Sequence, residues 1–319
     1  MDKTARQIHN HLKKTKEKIV LVAHQNPDGD ALGSTTAMHE YLKTIKQDSS
    51  IFCASPVPAK LQFLPNIEAV TTTSLIKNAD TVVVLDSGDT KYAGIAEFLR
   101  DFTGTVINID HHASNTLFGD INLVNPKAAS TTQIVYYFLK HNNIRISRGM
   151  ATSLLTGLIT DTDNFFNPAT SESALNSASE LMRLGANWTL INNCVVKNKS
   201  INLLKLWGVI LGRLEEKEDA DIAYTYLTLK DIMQYGIEDS DAEGMANFLS
   251  KIDGAKITLF MKETADEKIK GSLRTTNDDV DVSIIAKKLG GGGHRKAAGF
   301  TAEGTMESIV DRVVNLRNE

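Results

Sequence analysis

The hydrophobic pattern of the first half of the chain is a series of short β-branched runs, each stopping at an acidic or imidazole side chain. Ile19-Val-Leu-Val-Ala23 runs into His24, Val82-Val-Val-Leu85 into Asp86, and Thr105-Val-Ile-Asn-Ile109 into Asp110-His111-His112. Runs this short and this apolar read as strands buried on both faces of a parallel sheet. Ile51-Phe-Cys-Ala54 adds another strand, and helical periodicity fills the gaps at Tyr92–Arg100, Ser130–His141, Arg148–Ile159 and Ser171–Leu184. The alternation predicts an α/β domain with a mainly parallel sheet and helices on both faces. Ile8, Leu12 and Ile19 predict a helix over residues 3–18 that leaves His9 and His11 solvated. Gly33-Ser34 opens a helix through Leu42, in which His39 has a structural role.

After Trp188 the strand signal vanishes and residues 189–216 read as a polar helical stretch, ended by the charged cluster Glu215-Glu-Lys-Glu-Asp219. Strands follow at Ile222–Leu229, Ala255–Lys262 and Lys268–Arg274, with helices near Ala242–Lys251, Val282–Leu289 and Glu307–Leu316. This is the pattern of a smaller mixed α/β domain. A 319-residue chain is long for one core. The expected organisation is a catalytic domain over 1–188, a helical connector over 189–218 and a second domain over 219–319.

Composition narrows the partners. Apolar content of 42% and charged content of 23% are ordinary for a globular protein, and a net charge of −4 argues against coating long duplex nucleic acid. A small anionic substrate held by a local patch remains compatible. The apolar run 19–23 is too short for a membrane span and the N-terminus is polar, so a cytoplasmic location without a membrane partner is expected. Cys53 and Cys194 have no metal-ligand spacing and read as buried thiols. A homodimer is left open.

Chemistry enters at the strand ends, because open α/β sheets bind ligands outside the carboxyl ends of their strands. Asp28, Asp30, Asp86 and Asp161 supply four carboxylates, with His24 and His111 as imidazoles. Four negative charges crowded together are untenable without cations, and two divalent ions would balance them. A carboxylate and imidazole set without thiolates favours manganese over calcium or a structural zinc, with magnesium, cobalt and iron left open. Two such ions need a bridging ligand; they activate a water and stabilise the attacking and leaving oxygens of a phosphoryl displacement. Asp86, at the end of a central strand, is the candidate bridge, although Asp86-Ser-Gly taken alone reads as a helix cap. Asp110, beside the histidines, reads as the group that orients an imidazole. Ser130-Thr131-Thr132 reads first as a helix-cap cluster. Of Phe165 and Phe166, at least one belongs to the core.

In the second half, Gly290-Gly-Gly-Gly293 is suited to laying successive backbone N–H groups around an anion. Gly291, Gly292 and Gly293, with His294 and Arg274, are the expected substrate-phosphate ligands, Arg274 for its bidentate geometry. Arg295 and Lys296 read as a solvated flank.

His24-x3-Asp28-x-Asp30-x2-Gly33-Ser34, the strand-ending Asp86, Asp110-His111-His112 and Thr160-Asp161-Thr162, in this order, resemble the four motifs of the DHH phosphoesterase family. Leu289-Gly-Gly-Gly-Gly-His294-Arg-Lys-Ala-Ala-Gly299-Phe resembles the signature of its associated substrate domain. The resemblance implies one metal on His24, Asp28 and Asp86 and a second on Asp30, Asp86, His111 and Asp161. His112 would face the phosphate as acid or leaving-group stabiliser. Asp163 departs from the family pattern, where a small residue is common. The implied activity is that of the short members acting on very short oligoribonucleotides (nano-RNA) and on 3′-phosphoadenosine-5′-phosphate (pAp). Alternatives are hydrolysis of cyclic or linear dinucleotides, a pyrophosphatase or exopolyphosphatase, and a non-catalytic nucleotide sensor. The intact set of acidic positions disfavours the sensor.

Overall fold

The computed structural model describes residues 2–15, 18–73, 79–196, 200–237, 244–250 and 252–318. The chain divides into two compact units, Met1–Asn198 and Lys199–Glu319. The division falls inside the stretch expected to be the helical connector.

The first unit is built on a six-stranded, all-parallel sheet. Its strands are β1 (Lys18–Ala23), β2 (Ser49–Cys53), β3 (Val70–Thr71), β4 (Ala79–Leu85), β5 (Thr105–Asp110) and β6 (Ile121–Val124), in the order β3-β2-β1-β4-β5-β6. Strand order reverses between β1 and β4, the topological switch point of a doubly wound sheet. Successive side chains point to opposite faces. Ile19, Leu21, Val83, Leu85, Ile107 and Ile109 enter the core beneath the helices α1 (Asp2–Lys14), α2 (Gly29–Thr44), α4 (Thr131–His141), α5 (Arg148–Asp161) and α6 (Glu172–Arg183). Val20, Val22, Val82 and Val84 enter a smaller cluster on the other face with Ala93, Ile95 and Phe98.

Among the described residues, one short helix lies over that second face. The helix expected over Tyr92–Arg100 shrinks to α3 (Ala96–Leu99), because Gly94 at φ +72° and a turn capped by the Asp89 carboxylate interrupt it. α2 opens at Gly29 rather than Gly33, because Asp28 accepts from the N–H groups of Asp30 and Ala31 as its cap. α1 ends at Lys14, and Lys16 and Glu17 of the expected first helix lie outside the described residues. His9 and His11 are not solvated: they hydrogen-bond the Tyr41 hydroxyl at 2.7 Å and Thr81 Oγ1 at 2.9 Å. His39 is buried against Ser49 Oγ, as its structural role requires.

The former connector is shared: α7 (Trp188–Ile191) lies in the first unit and α8 (Ile201–Gly212) in the second. The second unit carries a mixed sheet in the order β11-β12-β10-β9-β8-β7. It comprises β7 (Glu215–Lys217), β8 (Ile222–Leu227), β9 (Ile257–Glu263), β10 (Ile269–Arg274), β11 (Gly292–His294) and β12 (Ala297–Ala302). Among the described residues, β8 and β9 pair in parallel and the other pairs are antiparallel. The charged boundary cluster thus begins as a short edge strand. α9 (Leu229–Tyr235), α10 (Gly244–Leu249), α11 (Val282–Lys288) and α12 (Met306–Asn318) complete the unit. Of the helix expected over 242–251, residues 242, 243 and 251 lie outside the described residues.

Candidate metal centre

Four segments bring acidic and imidazole groups to the carboxyl edge of the parallel sheet. His24 follows β1, Asp86 follows β4, Asp110 ends β5 with His111 and His112 after it, and Asp161 ends α5. β1, β4 and β5 are neighbours, so their ends lie side by side. α2 and α5 approach closely: a Cβ on Gly157 would collide with Thr132 and with the Asp30 carboxylate, so glycine there lets α5 carry Asp161 toward Asp30. Asp86 adopts a left-handed backbone at φ +59°, a conformation that aspartate tolerates better than most residues.

Ligand atoms fall into overlapping sets that each fit one ion: His24, Asp28 and Asp86; Asp30, His111 and Asp161; and Asp86, His111 and His112. Asp86 joins the sets. Its Oδ2 lies 3.5 Å from His24 Nε2, and its Oδ1 lies 3.7 Å from His111 Nε2 and 3.8 Å from His112 Nδ1. His111 Nε2 is 3.1 Å from Asp161 Oδ2, and His24 Nε2 is 3.9 Å from Asp28 Oδ1. His24 uses Nδ1 on the Gln25 carbonyl at 2.8 Å, which leaves Nε2 for the pocket. Every expected metal-ligating residue, His24, Asp28, Asp30, Asp86, His111 and Asp161, is therefore at this edge.

Asp110 orients His112 rather than His111. Its Oδ1 takes His112 Nδ1 at 2.7 Å, and its Oδ2 accepts from Asn115 Nδ2 at 2.6 Å. Asn115 also donates to Asn108 Oδ1, so Asp110 is fixed from behind while the His112 ring stays partly exposed. The hydrogen bond to Asp110 raises the His112 pKa, outweighing burial. Burial, together with the neighbouring carboxylates, drives Asp30 and Asp161 well above the usual range. Asp86 moves down instead: burial pushes it up, but the hydrogen bond from His24 and the charges of the three histidines prevail. His24 rises because Asp86 and Asp28 overcome its desolvation. Carboxylates that resist ionisation when crowded, with imidazole nitrogens turned toward them, form a donor set that fits divalent cations.

Ser130-Thr131-Thr132 is more than the cap cluster that its composition suggests. Ser130 does cap α4, but the N–H groups of Thr131 and Thr132 donate to Asp30 at 2.6 and 2.8 Å, and Thr131 Oγ1 donates to Asp86 Oδ1 at 2.9 Å. Tyr92 was also missed: its ring stacks on His24 with centroids 4.6 Å apart, and no local pattern announces that contact. Phe165 packs against the core, whereas Phe166 is exposed. Asp163, the departure from the family pattern, begins a run of left-handed residues through Phe165, two positions after Asp161.

In the second unit a cavity of about 450 Å³ is lined by Arg274, Lys262, Lys270, Asn247, Gly292 and Gly293, among others. Gly291 and His294 do not line it. Gly291 packs on the backbone of Gly299 and Phe300, and His294 is exposed at the end of β11. The glycine run is not a nest of successive N–H groups, because Gly292–His294 pairs with β12 as a strand. Arg295 and Lys296 are not free flanks: they hydrogen-bond the carbonyls of Asp278 and of Thr276 and Asn277.

Residues 18–158 match the model of the DHH family, N-terminal domain, and residues 219–318 match the DHHA1 domain. The chain is 29% identical over 311 residues to the bifunctional oligoribonuclease and PAP phosphatase NrnA of Thermus thermophilus, covering 97% of this chain and 91% of that protein. It is 26% identical over 290 residues to the protein of the same name from Bacillus subtilis, covering 89% and 88%. The crystal structure of an exopolyphosphatase-related protein from Bacteroides fragilis superposes with a TM-score of 0.92 at 24% identity, over 100% of this chain and 96% of that one, which shows a shared fold. No helix among the described residues is long and apolar enough to cross a membrane. With a metal-competent acidic edge in the first unit and both domain models matched in order, the chain belongs to the DHH family of metal-dependent phosphoesterases and carries a DHHA1 domain after the catalytic one.

Proposed function

We propose that this phosphoesterase hydrolyses very short oligoribonucleotides, and pAp, to nucleoside monophosphates, using two divalent cations, with manganese as the favoured ion. The observation that carries the two-cation reading is the position of Asp86, with one oxygen toward His24 and the other toward His111. The substrate class follows from the relatives named above, supported by a cavity in the second unit of the size that small ligands occupy and lined by cationic side chains.

When bound, the cations lower the pKa of a water and offset charge on the oxygens of the phosphoryl group. The protein's own part is positional. His24, Asp28, Asp86, Asp30, His111 and Asp161 would hold the ions. Asp110 keeps the His112 ring oriented and favours its protonated form, so that Nε2 is available to give a proton to the leaving oxygen. Arg274, with Gly292 and Gly293, grips a substrate phosphate, and Asn247 Oδ1 accepts from Arg274 Nε at 3.3 Å to steady the guanidinium.

Product release from pAp, two- to five-nucleotide RNA, the same lengths of DNA, cyclic dinucleotides and pyrophosphate, measured on chelated protein before and after addition of manganese, tests the proposal. Manganese-dependent turnover should be fastest on pAp and short RNA. Preferential cleavage of pyrophosphate or cyclic dinucleotides overturns the substrate assignment.

A further inference from the structure

Thr131 touches both ligand sets. It is the first residue of α4 and fully buried; its N–H donates to Asp30 Oδ2 at 2.6 Å and its hydroxyl to Asp86 Oδ1 at 2.9 Å. Asp30 groups with His111 and Asp161, whereas Asp86 groups with His24 and Asp28 and also with His111 and His112. One residue therefore ties a carboxylate of the His111 side to the carboxylate that joins the two sides. Capping does not require its hydroxyl, because Ser130 Oγ already accepts from the Gln133 N–H.

The hydroxyl matters most once ions are present. A histidine nitrogen that ligates a cation has given up its lone pair and carries no proton, so His24 Nε2 and His111 Nε2 then offer no hydrogen bond to Asp86. The Thr131 hydroxyl is not displaced in this way. It keeps Oδ1 on the His111 side, which leaves Oδ2 on the His24 side. Without it the carboxylate can turn and give both oxygens to one ion.

We propose that Thr131 is the positioning residue that holds Asp86 in its bridging orientation and so couples the filling of one cation site to the other. This rests on the two-cation reading of the same site. The test is a manganese titration of the full chain followed by calorimetry and by electron paramagnetic resonance, which distinguishes a spin-coupled ion pair from isolated ions. The variants are Thr131→Val and Thr131→Ala, which lack the hydroxyl, and Thr131→Ser, which keeps it. Two coupled ions are expected in the wild type and in Thr131→Ser. In Thr131→Val the coupled signal should disappear and the weaker site lose at least about tenfold in affinity, as loss of a ligand-orienting group typically costs. Thr131→Ala provides the same comparison where Val does not fold. A coupled pair that survives in the hydroxyl-free variants overturns the proposal, and so does its loss in Thr131→Ser. A wild type that binds a single ion, or two uncoupled ones, overturns the two-cation reading itself.

Discussion

Two groups of buried charge in this molecule are handled in opposite ways. In the second unit, Arg213 makes a two-pronged contact with Asp231, at 2.6 and 2.9 Å, while Thr228 donates to the same carboxylate and completes a capping box on α9. Arg213 beside it lowers the Asp231 pKa to about 2. At the edge of the first sheet, Asp30 and Asp161 are pushed well upward by burial and by each other's neighbours. Charge that the chain compensates itself is architecture. Charge that it gathers and leaves in excess is a binding site, because it becomes stable only when a cation arrives from solution.

The contrast can be broken first at its sharpest point. Asp86→Asn retains the shape but removes the shared charge, and metal-dependent turnover should fall by at least about a thousandfold, since an uncompensated ion pair no longer stabilises the phosphoryl group. Near-normal steady-state rates at saturating manganese would remove Asp86 from the bridging role.

Asp231→Asn tests the opposite case. It should leave turnover chemistry alone and cost about 1–2 kcal/mol at neutral pH, allowing for solvent screening on the partly exposed Arg213 side. A carboxyl whose folded pKa is depressed stabilises the fold above its unfolded value, and that contribution is lost as pH falls toward the folded value. The gap between wild type and Asp231→Asn in urea unfolding should therefore narrow as pH drops below 4 toward about 2. A gap independent of pH would mean that the pair contributes through shape alone.

The smallest effect has the unexpected sign. A raised folded pKa means that ionised Asp161 destabilises the cation-free fold at neutral pH. Asp161→Asn should then raise the melting temperature of chelated protein by about 2 °C or more, while retaining an acceptor for His111. Manganese should raise the melting temperature of the wild type and have much less effect on the variant. If chelated Asp161→Asn melts below the wild type, the carboxylate is structural and the contrast fails there.

Much of the first unit was legible because its information is local. Val82–Leu85 and Val106–Ile109 pack on both faces, so their composition announced buried strands, and His24, Asp86 and His111 each lie one step past a strand end. β6 was not legible, since Ile121–Val124 is a half-covered edge strand with only Leu123 buried. The glycine run misled for a related reason: glycine permits both an anion-cradling loop and close strand packing, and only the approach of β12 selects the second.

Residue order alone determined the parallel α/β core, the second mixed domain and the roster of groups that meet at the sheet edge, because strand burial and strand-end placement follow from nearest-neighbour chemistry along the chain. Tertiary structure alone decided that Asp110 serves His112 rather than His111, that Thr131 reaches Asp86 across 45 residues, and that Arg274 shares a cavity with Gly292 and Gly293 while His294 does not. Those facts depend on which side-chain atom faces which across separate elements. That is set by the close approach of helix and sheet in three dimensions, and spacing along the chain carries no record of it.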